Sequence, residues 1–384
     1  DIDSSGKRIS YQIAETVIRV DERMCYTDVK NILEDTDPQA KERYAPLIPM
    51  FFLMKELSGI IRESRHHRGS IDFDFPESKI ILNAAGRAID VKPYEANVAT
   101  RIIEDFMLMA NETVAEEYCK EGKPFVYRTH DNPDPEKVES LLTLLRNQGV
   151  AVQKMGQEIT PKEIQQILEQ IQGLENEPQI SRLALRTMKQ ARYTTQCSGH
   201  FGLAAKYYCH FTSPIRRYPD LQIHRIIKDN IHGRLDDRRL SHYDAILPKV
   251  CDDNSRKERR AEEAERQVER LKKVEYMEHH IGEEFEGIIS GVINRGIFVE
   301  LPNTIEGFVD VSTLYDDFYV YSQDEYAMIG ESTGKKYSIG DTVKVKVKLA
   351  DKQSRRIEFV IRSDAKEGDE TGHGKGKRQQ THRK

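Results

Sequence analysis

The chain has 384 residues, 38% of them hydrophobic and 32% charged, which predicts two or three domains that each bury a core. No run reaches the roughly 18 apolar residues of a membrane-spanning helix, and the first residues lack the order of a signal peptide, so we expect a cytoplasmic protein without membrane contacts. The net charge of -5 excludes a uniformly basic nucleic-acid binder, although it would not report positive potential inside a channel.

The first 280 residues mix strand and helix patterns, which predicts an α+β region. Alternation of Ile9, Tyr11 and Ile13 indicates a strand near the start. Between Val98 and Glu117, apolar residues recur at helical spacing over a wide stripe. Such a stripe predicts a helix buried on much of its surface.

Capping signals place further helices in this region. Asp134 and Pro135 predict a helix start, and Gly149 its end. The run from Thr160 to Glu163 combines a capping box with proline at the first helical position. The run from Ser255 to Met277 is mostly charged with a thin apolar seam. We expect it to form a solvated connecting helix rather than a binding element.

The stretch 210–220 sets two adjacent arginines, Arg216 and Arg217, between two prolines. Guanidinium groups bind phosphate oxygens in a bidentate manner, and proline lowers the entropy of the loop that presents them. Tyr218 adds a stacking surface. The pattern predicts a phosphate-binding loop, with a solvated basic turn as the alternative that composition alone allows.

From Gly282 onward the apolar pattern changes to period two, most clearly in 343–349, where valines and a leucine alternate with lysines. Short strands punctuated by glycines predict a small barrel of the OB type over residues 281–363. Residues 364–384 are rich in Gly, Lys, Gln and His. This composition predicts a disordered basic tail.

Several motifs resemble, in the same order, those of the ribonuclease II / ribonuclease R family of 3'-to-5' exoribonucleases. The segments are VDERMCYTDV, RGSIDFDF, RIIEDFMLMANETVAE, GHFGLA, HFTSPIRRYPD, AEEAERQVERLKKVEYM and GEEFEGIISGVINRGIFVELPNTIEGFVDVS. The resemblance implies part of a ribonuclease II-type (RNB) catalytic domain in 1–280 and an RNA-binding S1 domain of the OB fold in 281–363. The implied activity is processive RNA hydrolysis to nucleoside 5'-monophosphates.

The resemblance also implies roles for single residues of the catalytic part. Arg216 matches the arginine that holds the phosphate at the cleavage point, and Phe73 matches one jaw of an aromatic clamp, with a half-buried core strand as the alternative. Tyr26 and Glu104 match positions that contact ribose 2'-hydroxyls, a contact that distinguishes RNA from DNA. Glu265 matches a glutamate that lines the path near the active site.

In the barrel, Phe298 matches an aromatic residue that S1 domains present to RNA, and Lys344 is expected to attract phosphates. Asp351 and Arg355 stand where the other polar RNA contacts of the module fall. Many S1 domains have an aromatic residue where this chain has Arg295. We therefore expect weaker stacking and stronger electrostatic attraction than in those domains.

The family holds catalytic Mg²⁺ on an aspartate cluster upstream of all the motifs matched here. We therefore expect no metal ligands in this chain and no activity from it alone, and the alternative function is RNA binding without catalysis. Expected partners are single-stranded RNA and structured RNA with a 3' overhang, and at family level the ribosome. We expect a monomer. The tail and the MIGESTGKKYSIGD segment favour the ribonuclease R branch, with ribonuclease II as the alternative.

Overall fold

The structure, a computed structural model, describes residues 1–71, 77–94, 96–147, 149–150, 159–174, 177–323 and 325–361. The predicted tail and Phe73 lie outside these ranges. Within them, every helix is too short or too polar to cross a bilayer.

Nine helices are described, mostly in the first two thirds of the chain. They are α1 (Tyr26–Leu33), α2 (Pro38–Arg43), α3 (Ile48–Arg68), α4 (Val98–Lys120), α5 (Pro135–Asn147), α6 (Pro161–Ile171), α7 (Glu177–Thr187), α8 (Tyr218–Ile231) and α9 (Asp237–Met277). Four strands accompany the helices in two antiparallel pairs, β1 (Glu77–Leu82) with β2 (Ala88–Tyr94) and β3 (Tyr127–Thr129) with β4 (Arg192–Thr194).

The remaining described strands belong to the C-terminal domain. They are β5 (Glu284–Ile293), β6 (Gly296–Glu300), β7 (Glu306–Asp310), β8 (Tyr319–Ser322), β9 (Ala327–Gly330), β10 (Lys336–Ser338), β11 (Thr342–Asp351) and β12 (Arg356–Ile361). Strands β5, β6, β7, β12 and β11 close the predicted barrel, and β8, β9 and β10 form a small separate sheet. Gly296 has φ +150°, and a Cβ there would lie 2.0 Å from the Val309 carbonyl oxygen, so this turn requires glycine.

The capping signals predicted helix starts well. The Thr160 side chain accepts from the Glu163 amide, and the Glu163 carboxylate accepts from the Thr160 amide at 2.7 Å. The strand predicted at Ile9–Ile13 is wrong, because residues 9–25 have no regular structure. Side chains attach this segment to α4 instead: the Tyr11 hydroxyl donates to Glu117, and the preceding Arg8 pairs with Glu116.

Helices α3 and α4 are joined by a buried ionic cluster around Asp105, which is fully buried. Its carboxylate accepts from the Ser58 hydroxyl at 2.6 Å and pairs with Arg65 at 3.0 Å and Arg62 at 3.3 Å. Arg65 is itself only 4% exposed. Because a buried guanidinium without a counter-charge is costly, the two helices depend on this carboxylate for their packing.

Helix α9 is longer than predicted, since it begins at Asp237 rather than Ser255 and continues through Pro248. The Asp236 carboxylate caps it by accepting from the Arg239 amide at 2.8 Å. One end of α9 is buried in the core of the first region of the chain, where its inward residues recur at helical spacing: Tyr243, Leu247, Cys251 and Ser255. The other end is buried in the barrel core through Val274 and Met277. The connecting helix is therefore solvated only along its middle.

Direct contacts also connect the barrel to the first region of the chain. Arg182 of α7 forms an ion pair with Glu300 of β6. The Ser78 and Thr304 hydroxyls lie 2.7 Å apart, and the Lys273 ammonium donates to the Thr304 carbonyl at 3.0 Å. These contacts come from three different elements of the first region, so the barrel is held at several points.

The ring of His200 packs between the rings of two other residues. The ring centroid lies 4.9 Å from that of His130 and 5.2 Å from that of Tyr208. Burial, followed by repulsion from His130, lowers the pKa of His200 to about 3. His200 is therefore neutral at physiological pH.

We predict that Asp105→Asn lowers the free energy of unfolding by about 3 kcal/mol or more, because Arg65 remains buried without its counter-charge. Guanidinium denaturation followed by circular dichroism measures this change. Glu56→Gln removes an exposed carboxylate from α3 and should change the free energy by less than about 0.5 kcal/mol. Similar losses in the two variants would contradict the assignment.

We also predict that His200 makes stability depend on pH. Its folded pKa of about 3 lies below the unfolded value of about 6.5, so between these values the unfolded chain binds more protons. Stability should therefore fall as pH falls below about 6.5, by at most about 1.4 kcal/mol per pH unit. In urea denaturation, His200→Gln should reduce this slope, whereas replacing the exposed His242 by Gln should not. An unchanged slope in His200→Gln would be the contrary result.

Candidate nucleic-acid interface

Asp220 is fully buried in the first turn of α8 and fixes the loop that precedes it. Its Oδ2 atom accepts hydrogen bonds from the Ser213 amide at 2.8 Å and from the Arg217 guanidinium at 2.7 Å. Both bonds are strengthened by the carboxylate charge. The Asp220 carboxylate thus binds both Ser213 and Arg217, which closes the loop. The Arg217 side chain is therefore paired with this carboxylate.

Arg216, in contrast, is exposed on the same loop. Its amide donates to the Ser213 carbonyl at 3.3 Å, which sets the turn. Across the described ranges, its guanidinium forms no hydrogen bond or ion pair. Tyr218 is 44% exposed. The loop therefore presents one unneutralised guanidinium and one accessible aromatic ring, as the predicted phosphate-binding loop requires.

Side chains from α4 and α8 form a second layer that holds the loop in place. The Asn111 side chain, from α4, accepts from the Phe211 amide at 2.9 Å and donates to the Tyr208 hydroxyl at 3.3 Å. The His224 ring of α8 stacks on Phe211 with centroids 4.4 Å apart. The sequence analysis missed Asn111. An asparagine in the middle of a helix was the available signal, since its propensity there is poor unless the side chain has a specific role.

His210 is the first residue of the HFTSPIRRYPD motif and is half-buried. Its Nδ1 atom lies 2.9 Å from the Tyr193 hydroxyl, and Arg128 lies over the Tyr193 ring at 4.7 Å. Burial, followed by the charges of Arg217 and Arg128, lowers the pKa of His210 to about 2. Burial also raises the pKa of Tyr193 well above its usual value. Neither group exchanges protons near neutral pH, so their role is to position the loop.

Helix α9 supports the same layer through Glu258. This carboxylate pairs with Arg128 and accepts from the Tyr193 hydroxyl at 3.4 Å. Glu265, two turns further along the helix, is exposed, and no side-chain partner for it occurs among the described residues. Glu265 is therefore accessible to solvent. Its role on the RNA path stays a prediction.

The other predicted residues of the catalytic part lie on separate elements. Tyr26 is the first residue of α1 and is 51% exposed. Glu104 lies on α4 with a carboxylate oxygen 3.9 Å from the Arg62 guanidinium. Phe73 falls outside the described residues. The ribose contacts and the aromatic clamp therefore stay predictions.

In the barrel, Phe298 and Arg355 line one groove, which we call the α9–barrel groove because α9 forms its opposite wall. The rings of Phe298 and Phe308 have centroids 5.1 Å apart, and the Arg355 guanidinium donates to Gln267 of α9 at 2.5 Å. The groove encloses about 1100 Å³. The sequence analysis singled out Phe298 but missed Phe308, its cross-strand neighbour on β7.

The structure does not bring Lys344 and Asp351 into this groove. Lys344 lies on β11 opposite Glu286 of β5. The Asp351 carboxylate accepts from the Gln353 and Ser354 amides at 3.1 Å each, and the Ser354 hydroxyl and these amides lower its pKa. Asp351 therefore shapes the turn between β11 and β12.

The described residues do not fit a metal centre. Across those ranges, no three His, Cys, Asp or Glu side chains are grouped so that they could hold a metal ion.

Family models match both regions of the chain. Residues 1–233 match the RNB domain, and residues 278–362 match the S1 RNA binding domain. The first match alone covers more than half of the chain. The second begins at the end of α9 and spans the barrel, close to the predicted 281–363.

Similar proteins agree with these matches. The chain is 42% identical to Ribonuclease R 1 of Lactococcus lactis over 359 residues, which covers 94% of this chain and 44% of the relative. It is 40% identical to Ribonuclease R of Thermotoga maritima, covering 94% and 51% respectively. The chain thus spans about half the length of these relatives.

A solved structure shows the same fold. Mycoplasma genitalium RNase R, in complex with ribose-methylated single-stranded RNA, has a TM-score of 0.81 and 26% identity, covering 88% of this chain and 52% of that one. The chain therefore belongs to the ribonuclease R family of RNB-domain proteins.

Proposed function

We propose that this chain takes part in 3'-to-5' hydrolysis of RNA to nucleoside 5'-monophosphates, with Arg216 holding the phosphate at the cleavage point. The observation that carries the proposal is the exposed, unneutralised Arg216 guanidinium on a loop fixed by buried Asp220. A guanidinium fork matches phosphate oxygens in both geometry and charge. Because the loop is already closed, little entropy is lost when phosphate binds.

The two arginines take different roles. Arg217 is neutralised by Asp220 at 2.7 Å, so its positive charge contributes little to a phosphate outside the loop. Arg216 has no such acid among the residues that the structure describes, so its guanidinium keeps its attraction for an anion. We therefore propose Arg216 as the phosphate contact and Arg217 as a positioning residue that contacts the RNA backbone at most weakly.

The substrate we propose is single-stranded RNA, including the 3' overhang of structured RNA. Accessible aromatic rings stack on bases without regard to sequence, and the exposed Tyr218 and the half-buried Phe298 offer such rings. Two solved structures of Mycoplasma genitalium RNase R contain ribose-methylated single-stranded RNA and double-stranded RNA. Within this proposal, Tyr26 and Glu104 contact ribose 2'-hydroxyls and Phe73 clamps the 3' end.

RNB-family ribonucleases are generally dependent on divalent metal ions. The described residues do not form a site for Mg²⁺. What these residues do is bind and orient: Arg216 binds phosphate, and the layer of Asn111 and His210 holds its loop. Processive movement, cytoplasmic location, a monomeric state and ribosome association stay predictions.

RNA binding without hydrolysis is the second candidate function. It is favoured by the fact that the phosphate and stacking groups, Arg216, Tyr218 and Phe298, are formed by side chains that need no metal to hold them in place. Hydrolysis by the purified chain separates the two candidates. A ladder shortened from the 3' end of 5'-labelled RNA supports the first, and binding without a ladder supports the second.

We predict that Arg216→Ala reduces hydrolysis of single-stranded RNA by about 100-fold or more, because one positioned donor to the reacting phosphate is lost. The rate of 3'-end shortening in the presence of Mg²⁺ measures this loss. Arg225→Ala removes an exposed arginine from the neighbouring helix α8 and should have little effect. If hydrolysis is absent from the parent chain, Arg216→Ala should still weaken RNA binding, and unchanged binding would oppose the proposal.

For stability, in contrast to RNA hydrolysis and binding, we expect Arg217 to matter more than Arg216. Arg217→Ala leaves Asp220 buried without its counter-charge, so we expect the free energy of unfolding to fall by about 3 kcal/mol or more. Arg216→Ala removes an exposed side chain and should change it by less than about 0.5 kcal/mol. Thermal or chemical denaturation of both variants measures the difference. A larger loss from Arg216→Ala would reverse the proposed roles.

A further inference from the structure

Three large apolar side chains are exposed close together in the C-terminal domain. Tyr315 and Phe318 precede β8 and Val320 lies within it, with exposed fractions of 90%, 69% and 43%. Because side chains alternate along a strand, Phe318 and Val320 share one side of β8, whereas Tyr319 is buried in the barrel core. We call the surface formed by the three exposed side chains and the neighbouring carboxylates of Asp316, Asp317 and Glu331 the β8 patch.

Hydrogen bonds to Asp317 fix the loop that carries the patch. Its carboxylate accepts from the Ser332 amide at 3.1 Å, from the Thr333 amide at 2.7 Å and from the Thr333 hydroxyl at 2.6 Å. The Thr333 hydroxyl and amide are the main cause of the lowered pKa of Asp317. A Cβ at Gly330 would lie 2.4 Å from this carboxylate, so glycine permits the approach. Clustered apolar side chains on a fixed, exposed loop indicate a surface that binds a partner.

The charges of the patch favour a cationic partner. Residues 314–341 contain six acidic residues and two lysines, a net charge of -4. Asp316 pairs with Lys335 at 2.9 Å, whereas Asp317 and Glu331 form no ion pair within the described ranges. These carboxylates repel phosphate and attract cations, which aromatic rings also bind. None of the described residues of 314–341 lines the α9–barrel groove, so the patch is a separate surface.

The same chain contains a segment of complementary charge. Residues 375–384 contain five Lys or Arg and no Asp or Glu. The guanidinium groups of Arg378 and Arg383 can stack on aromatic rings, and the three lysines can pair with carboxylates. Neither this segment nor the acidic segment 314–341 has a role in the proposed function.

The length of the intervening chain allows the two segments to meet. Strand β12 ends at Ile361, and thirteen residues, 362–374, precede the basic segment. Thirteen extended residues span about 45 Å, whereas a domain of about 80 residues has a radius of gyration of about 12 Å. A segment tethered this closely meets its site at an effective concentration of about 1 mM. A contact too weak to hold a separate peptide can therefore form within the chain.

We propose that the basic segment 375–384 docks on the β8 patch of its own chain. Its two arginines lie against the rings of Tyr315 and Phe318, and its lysines lie beside Asp317 and Glu331. While docked, these cations are paired with acids of the same domain, so they attract phosphate less than unpaired cations do. The inference is independent of the proposed function, because Arg216 takes no part in the docking.

Zero-length crosslinking of the full 384-residue chain tests this inference. A water-soluble carbodiimide joins a lysine amine directly to a carboxylate and is itself hydrated to a urea. Mass spectrometry then identifies peptides in which Lys375, Lys377 or Lys384 is linked to an acid of 316–341. An equal mixture of ¹⁵N-labelled and unlabelled protein separates links within one chain from links between two chains. We expect links within one chain that disappear at about 1 M salt, where the Debye length is about 3 Å.

Two double variants test the stacking contacts. Tyr315→Ser/Phe318→Ser keeps every lysine and carboxylate, yet should reduce the yield of these links about fivefold or more, because the arginines lose the rings. Arg378→Gln/Arg383→Gln should cause a similar loss. It changes no residue of the described fold and keeps every lysine that the reagent can link, so a loss there cannot result from misfolding.

Val17→Ser/Ile18→Ser is the matched control. It removes two exposed apolar side chains from another part of the chain and should leave the yield unchanged. Links between labelled and unlabelled chains would overturn the inference, because a second copy would then occupy the patch. Equal yields in the parent and both test variants would overturn it as well, since charge alone would explain the links. Weaker binding of single-stranded RNA by Tyr315→Ser/Phe318→Ser with an unchanged yield would make RNA the occupant instead.

Discussion

The distance between the Arg216 loop and the barrel is set by the helix α9, which is buried at both of its ends. Tyr243 and Leu247 pack in the catalytic region, and Val274 and Met277 pack in the barrel core. A helix of 41 residues has a fixed rise per residue, whereas a flexible linker would allow a range of separations. The ion pair of Arg182 with Glu300 further restricts rotation of the barrel about this axis.

The same helix explains why the loop has a solid support. Glu258 contacts Arg128 and Tyr193, and Tyr193 contacts His210 at the start of the loop. These groups are neutral or paired, so they add no free charge behind Arg216. The exposed guanidinium is therefore the main local charge that an incoming phosphate meets, and its position depends on packing rather than on a flexible side chain alone.

Local signals in the sequence predicted the elements whose causes are themselves local. The capping box at Thr160, the proline at Pro135 and the valine–lysine alternation of β11 each lead to the predicted element. The predicted start of α9 at Ser255 was wrong, because the helix begins at Asp237 and continues through Pro248, a residue that ordinarily disfavours a helix interior. The alternation at Ile9–Ile13 failed because no described strand pairs with it there, and a strand needs a partner for its backbone groups.

The candidate site was likewise predicted only in part from the sequence. The adjacent arginines are visible in the sequence, but their difference is not, because it depends on which guanidinium reaches the buried Asp220. The spacing of three residues between Arg217 and Asp220 allows a contact on the first turn of a helix. Only the fold shows that this contact forms and that Arg216 has no ion pair within the described part of the chain. The contribution of α9 to the groove was missed for a related reason. A mostly charged helix is predicted to be solvated as long as the elements that pack beside it are unknown.

Net charge is a poor guide to this surface for a physical reason. At physiological ionic strength, charges more than about 8 Å apart are largely screened in solvent, so an RNA strand in the groove responds to the groups beside it rather than to the total of -5. There, Glu269 and Asp310 are held by Lys273 and Ser312, while Arg270 forms no ion pair with any residue that the structure describes. The sign of the local field thus follows from which charges have partners within the protein. An overall acidic chain can therefore bind a polyanion without any excess of basic residues.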